Sequence, residues 1–342
     1  MKKVFALMLS LLLMFSLISC NWGHPDNPNH SNDPLTPTVI FGRDVAVYKN
    51  MVFYRDDSTR ELKYQDMENI QSTGFNLYQD LLETDENPFN HVTARTSIIV
   101  DPIATEKNDG APILYIALNR LDHTVVSYNT ATQQMRILKN DLTGRLMSLL
   151  LYGEHLIFST YEGDLGTRIH AIKTDGTDYR TLDNPDKLTL DIENVWNDEI
   201  YFTNGTGILY KAPLSLDSFS FVLDDCFGSV CFGGDYLYYN EMSTSYLRRA
   251  PLNDLSAKET VIDQPVAGIA QESLYIYTIR NDEERSAYLY HTKTNENQMV
   301  YQNMSTKDYR CFSETYICFK ERHKNLICYY DIATKEEIEI PY

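Results

Sequence analysis

The chain has 342 residues, with 30 Lys and Arg against 48 Asp and Glu, a formal charge of −18, 43% hydrophobic and 12% aromatic residues, and six cysteines. That length is ample for a sizeable core, and 25 Tyr with 14 Phe supply too much apolar surface for a disordered chain. The acidity excludes the usual route to nucleic acid, since phosphate backbones are gripped by clustered cations, and an anionic bilayer surface repels it too.

Lys2 and Lys3 form a short positive start, and Val4 to Phe15 is apolar except for Ser10. This is the build of a secretory signal, too short to remain as a membrane span. Leu17-Ile18-Ser19-Cys20 follows. It resembles the bacterial lipobox, in which the cysteine is diacylated and the preceding signal removed. The resemblance implies a signal at residues 1–19, lipidation at Cys20, and stable anchoring by two or more acyl chains where one would not suffice. The protein is then expected in the bacterial cell envelope, lipid-anchored and facing outside the cytoplasm.

Asn21 to Pro37 holds four of the twelve prolines and four asparagines. Residues 20–37 therefore read as a lipidated, solvated tether, because such a stretch cannot pack a core. His24 and His30 within it lack the positioned backbone and paired partner a metal site needs.

From residue 38 to 342 the chain repeats. Short β-type runs recur as Met51-Val-Phe-Tyr54, Ile113-Leu-Tyr-Ile116, His155-Leu-Ile-Phe158, Glu199-Ile-Tyr-Phe202, Tyr236-Leu-Tyr-Tyr239, Ser273-Leu-Tyr-Ile276 and Thr315-Tyr-Ile-Cys318. Taking Phe53, Tyr115, Ile157, Tyr201, Tyr238, Tyr275 and Ile317 as markers, the intervals are 62, 42, 44, 37, 37 and 42 residues. Strand repeats with periods near 40 to 45 indicate propeller blades. Phe227 to Asp263 shows the internal order best, with four short strands joined by tight turns. A third strand recurs at Ile169-His-Ala-Ile172, Leu209-Tyr-Lys-Ala212, Leu247-Arg-Arg-Ala250, Tyr288-Leu-Tyr-His291 and Ile327-Cys-Tyr-Tyr330, and Thr174-Asp175-Gly176-Thr177 offers a hairpin turn after the first of these.

The expected fold is all-β, a β-propeller of seven four-stranded blades, with six blades and a distorted N-terminal unit as the alternative. The long first interval places an insertion within Gln65 to Arg95, where Asn76 to Leu82 reads as a short helix or an outer strand. Val39-Ile40-Phe41 is expected to close the ring by joining the last blade beside Glu337-Ile-Glu-Ile340.

The copies resemble the YWTD-type repeats of LDL-receptor-like propellers, in which an Ile-Tyr-Trp-Thr-Asp strand precedes an Arg-Ala-Leu-Asp-Gly-Ser strand and turn. The stretches that carry this are Ile200-Tyr-Phe-Thr-Asn204 with Tyr210-Lys-Ala-Pro-Leu214, and Leu237-Tyr-Tyr-Asn240 with Arg249-Ala-Pro-Leu252. Bacterial lipoproteins of unknown function that carry such domains are similar over roughly Val39 to Tyr342. The resemblance implies a binding platform and names no ligand. No copy has the Trp-Thr-Asp triple intact, and the receptor propellers have six blades.

No catalytic motif stands out, so no catalytic or metal-ligating residue is assigned, no cofactor is expected and the ligand-binding residues are left unknown. The histidines are His24, His30, His91, His123, His155, His170, His291 and His323, without metal-ligand spacing. His170 and His291 hold similar places on third strands, where a structural role is the commoner one. Asp56-Asp57 and Asp224-Asp225 lack the spacing that wraps calcium and read as solvated turns. Cys226, Cys231, Cys311, Cys318 and Cys328 remain after Cys20, an odd number. Cys318 can pair with Cys328 or with Cys311, not both, and buried reduced thiols are the other possibility.

The expected partners are the membrane, through the N-terminal lipid, and a protein, peptide or glycan held by a propeller face of a monomer, with no nucleic acid. An envelope polysaccharide lyase or hydrolase with residues gathered from several blades is the alternative. A sensor or assembly factor that presents the propeller to a membrane complex is a third. Two carboxylates, or a Tyr and a His, within hydrogen-bond reach in a deep central pocket would favour the enzyme.

Overall fold

Every second strand of the repeat is apolar at consecutive positions, which a sheet tolerates only when both of its faces are covered. In a computed structural model of the chain, they are. The structure describes residues 39–42, 44–55, 62–67, 97–118, 123–271, 273–280, 285–304, 307–321, 324 and 326–341. Asn76 to Leu82, and with it most of the expected insertion, lies outside these residues, as do the signal, Cys20 and the tether.

Among the described residues the strands form seven antiparallel sheets. A lone strand, β1 (Val39–Phe41), precedes the first blade, built of β2 (Val45–Tyr48), β3 (Met51–Arg55) and β4 (Leu62–Asp66). The second contains β5 (Ser97–Asp101), β6 (Ile113–Leu118), β7 (Thr124–Asn129) and β8 (Gln134–Lys139). In the third are β9 (Arg145–Tyr152), β10 (His155–Tyr161), β11 (Thr167–Lys173) and β12 (Arg180–Thr181), and in the fourth β13 (Leu190–Trp196), β14 (Glu199–Asn204), β15 (Leu209–Pro213) and β16 (Ser220–Leu223). The fifth has β17 (Cys231–Gly233), β18 (Tyr236–Asn240), β19 (Leu247–Pro251) and β20 (Glu259–Ile262). The sixth has β21 (Val266–Gln271), β22 (Leu274–Ile279), β23 (Ala287–His291) and β24 (Asn297–Tyr301). The seventh ends the chain with β25 (Lys307–Phe312), β26 (Tyr316–Glu321), β27 (Leu326–Asp331) and β28 (Glu337–Pro341). The seven markers all fall on second strands, and the alternative of six blades is set aside.

A short helix, α1 (Pro102–Lys107), interrupts the first hairpin of the second blade. Asp101 caps it by accepting from the Ala104 amide at 2.9 Å, and Pro102 sits in the first turn, where a missing N–H costs nothing. The sequence signal for this helix is the pair Asp101-Pro102.

Packing between blades makes the fold. Among the described residues seven apolar clusters are found, one between each pair of neighbouring blades, the seventh joining the last blade to the first. Alternate residues of one strand feed different clusters. On β10, Leu156 and Phe158 pack toward the second blade while Ile157 packs toward the fourth. That is why the period-2 pattern of a half-buried strand is missing here.

Polar bonds fix the angle between blades at their turns. Thr292 donates to the carbonyl of Phe232 at 3.1 Å, and Tyr238 donates to the carbonyl of Thr292 at 3.0 Å, so blade six is latched to blade five. Gly233 lies under this latch, where a Cβ would overlap the Thr292 side chain. Gly233→Ala is expected to cost roughly 1–3 kcal/mol by forcing the two blades apart. Chemical denaturation should show it, and an unchanged midpoint would mean that the blades do not meet there.

The N-terminal strand departs from expectation. It does not join β28. Instead β1 pairs antiparallel with β9, the innermost strand of the third blade, with Ile40 opposite Leu151 and Phe41 opposite Leu150. The last blade is already complete from contiguous chain, so it offers no vacant place. Ile40 joins the cluster between blades two and three, and Phe41 the one between three and four. Gly42 then donates to the Leu149 carbonyl at 2.7 Å, where a Cβ would stand only 2.9 Å from that oxygen. A glycine is needed for so close an approach.

Closure is therefore open: among the described residues no strand is exchanged between the ends of the chain. Inner strands β2 and β25 are neighbours, and Val45, Val52 and Tyr54 pack against Cys311, Cys318, Ile327 and Ile340 across the seam.

Candidate functional site

The inner strands surround a central channel, and β1 fills part of it beside β9. A cavity of about 100 Å³ remains, lined by Phe41, Gly42, Met147 to Leu150, Ile192, Glu193, Ser229, Ile269 and Ala270. Four blades and the N-terminal strand contribute to it, so no sequence motif could have marked it.

Among the described residues, Glu193 is the only charged one in that lining. A register shift in the pairing of β13 with β14 between Ile192 and Asn194 marks a bulge that re-aims this stretch of the strand. Its carboxylate accepts from the Thr203 hydroxyl at 2.6 Å and from the Ser229 amide at 2.7 Å. Asn194 beside it donates to the Val230 carbonyl at 2.9 Å, binding the connection between blades four and five. These bonds hold Glu193 in one orientation. Ser229 gives its own hydroxyl to the Gly268 carbonyl at 2.8 Å, and Ser148 and Ser159 share a hydrogen bond of 2.6 Å.

A second cleft, of about 210 Å³, opens at the seam, among Lys49, Asn50, Met67, Tyr329, Asp331, Thr334, Glu336 and Ile338. Asp331 there is turned inward on its own loop, accepting from the Thr334 amide at 2.7 Å.

The histidines singled out by sequence are not brought together. His170 lies on β11 in blade three and His291 on β23 in blade six. His291 Nε2 meets Glu314 at 3.0 Å. His170 is buried between Thr160 and Tyr179, with hydrogen bonds of 2.9 and 2.8 Å, and stacks on Phe158 at 4.8 Å. Burial, aided by the positive charges of Arg168 and Lys139, lowers its pKa to about 3, so the ring is neutral.

The folded value lies below the ordinary 6.5. Stability from this group is accordingly complete above pH 6.5 and is lost as pH falls toward 3. By pH 5 the loss amounts to about 2 kcal/mol. His170→Gln should flatten the acid limb of the stability curve by one proton, and an unaltered limb would mean that the ring titrates normally.

Asp224 reaches Lys258 at 3.4 Å, while Asp225 accepts from the amide and hydroxyl of Ser243 at 2.8 and 2.6 Å, as solvated turns do. Asp56, Asp57, His24, His30, His91 and His323 lie outside the described residues. Among the described residues no three His, Cys, Asp or Glu side chains gather as a metal site would require. All five described cysteines are reduced and buried. Cys328 stands opposite Phe319, so alternation puts it on the other face of the sheet from Cys318, and that pairing is excluded by geometry.

No protein-family model and no curated protein matches the sequence. Solved structures do match in fold. The β-propeller domain of the Trilobed protease from Pyrococcus furiosus, described as having an open velcro topology, superposes with a TM-score of 0.51 at 11% identity, over 89% of this chain and 98% of that one. The computationally designed Ika8 protein gives 0.51 and 11%, over 89% and 86%. An acylaminoacyl peptidase in complex with Z-Gly-Gly-Phe-chloromethyl ketone also gives 0.51 and 11%, with 89% of this chain matching 52% of that larger one. At such identity the likeness extends to the fold alone. The chain is a seven-bladed β-propeller.

Proposed function

We propose that this propeller is a lipid-anchored, extracytoplasmic binding or scaffold protein that holds a protein, peptide or glycan at the mouth of its channel. One observation carries the binding reading. Among the described residues the channel cavity presents a single, rigidly held carboxylate, Glu193, among hydroxyls, backbone and apolar walls. A hydrolase needs a second acid or base within reach of the first. A binding site needs an oriented acceptor beside apolar surface. The negative net charge favours a cationic group on the partner. The YWTD-type resemblance of the strands at Ile200 and Leu237 supports a platform role, and the lipobox-like Leu17 to Cys20 supports the anchor.

The test is crosslinking in the native envelope followed by identification of what is retained. A specific partner should be recovered, and its yield should fall several-fold with Glu193→Gln. Recovery of nothing, or a yield indifferent to that change, would contradict the reading. The anchor is tested separately. Cys20→Ala should move the protein from the membrane pellet to the soluble or unprocessed fraction, whereas persistence of acylated protein in the pellet would place the lipid elsewhere.

A further inference from the structure

The last blade seals the ring by an apolar cluster and the Arg310–Asp44 ion pair at 3.4 Å, and among the described residues it contains the one pair of cysteines that face each other. Between Tyr309 and Cys311 the pairing of β25 with β26 shifts by one residue. Without that bulge Arg310 would oppose Cys318; with it, Cys311 does. Both side chains then point into the seam cluster.

The Cα spacing falls within the range of a covalent link, whose formation would draw the two Cβ atoms closer than an undistorted hydrogen-bonded pair holds them. The Ser313 amide donates to the Tyr316 carbonyl at 2.9 Å, which closes the hairpin with a hydrogen-bonded pair. Two positions along, Cys311 and Cys318 form another such pair, with Cα atoms about 5.5 Å apart. Disulfides span roughly 4.4–6.8 Å between Cα atoms. The remaining thiols are placed elsewhere: Cys328 on the opposite face of the same blade, and Cys226 and Cys231 on opposite faces of blade five.

We propose that Cys311 and Cys318 are a disulfide-forming pair, closed by exchange with a disulfide oxidant such as oxidised glutathione. The inference is independent of the binding reading. One cysteine thiolate attacks a sulfur of the oxidant and expels one glutathione thiolate. The second cysteine resolves the mixed disulfide and releases the other glutathione. Two electrons and both thiol protons end on the two glutathione molecules, and one S–S bond replaces another. The product is a covalent clasp across the first hairpin of the blade that seals the ring.

Burial, with the neighbouring Cys311 thiol adding to it, holds Cys318 protonated well above the usual thiol range. Exchange is consequently slow in the finished ring and fastest while the last blade assembles. The purified protein is therefore refolded in a buffer of oxidised and reduced glutathione, blocked with an alkylating reagent under denaturing conditions and digested with trypsin. The peptide from Cys311 to Lys320 contains both cysteines and no other. It should appear unalkylated and lighter by two hydrogen atoms, and should take up two alkyl groups once reduced. In Cys311→Ala protein treated alike, Cys318 should be alkylated directly. Double alkylation of the wild-type peptide without prior reduction, or a link from Cys318 to the peptide holding Cys328, would overturn the proposal.

Discussion

Ile340→Ala is expected to destabilise the propeller by roughly 2–5 kcal/mol, with a transition that loses the last blade together with the first. Ile340 is fully buried on the final strand and belongs to the cluster that joins β26 and β27 to Val45 and Val52. A propeller closed by strand exchange would spread such a loss over a shared sheet. Here, among the described residues, side chains bridge the seam through this cluster and the Arg310–Asp44 pair, so removing three carbons leaves a cavity in the main contact between the two blades. Denaturant titration followed by hydrogen exchange reads both parts of the expectation. A loss below about 1 kcal/mol, or weakened protection confined to blade seven, would show that the seam is not the closing contact.

Glu337→Ala should cost about 3–5 kcal/mol, because it strands a buried cation. The Lys307 side chain is only 10% exposed, and its ammonium lies 4.0 Å from the centre of the Phe319 ring and 4.7 Å from that of Tyr301. It pairs with Glu337 at 2.9 Å, and Tyr301 donates to the same carboxylate at 2.5 Å. Burial alone would raise the Glu337 pKa; the hydrogen bonds from Tyr301 and Lys307 and the lysine charge outweigh it and leave the group below its usual range. The double variant Lys307→Met with Glu337→Leu should recover most of the loss, since it removes both charges and keeps apolar volume. If the single variant is neutral by denaturation, the ammonium reaches water and the pair is a surface one. If the double variant is worse than the single, the pair contributes net stability.

Strand type and period were written plainly in the chain. Tyr275, Ile157 and their counterparts recur because each second strand must cover two neighbours, and that demand is local enough to read from spacing. The path of Val39 to Phe41 was not legible. Three apolar residues suit any exposed sheet edge, and the choice of β9 rests on Gly42 against Leu149 and on the fact that β28 already completes the last blade. The site was hidden for a related reason. Glu193 is one of two acids within Leu190 to Trp196, and only the ring brings it to Ser229, Met147 and Phe41. An acid on an innermost strand was the available clue. For the cysteines, sequence offered two partners for Cys318, and strand alternation removed one of them once the bulge beside Cys311 was placed.

The central claim is that blade seven packs on blade one while the N-terminal strand lies against blade three. Methyl–methyl nuclear Overhauser contacts in deuterated protein labelled at Ile, Leu and Val test it directly. The account predicts contacts linking Val45 or Val52 with Ile327 or Ile340, and linking Ile40 with Leu149 or Leu151. Contacts from Ile40 to Ile338 or Ile340, with none between Val52 and the last blade, would contradict it.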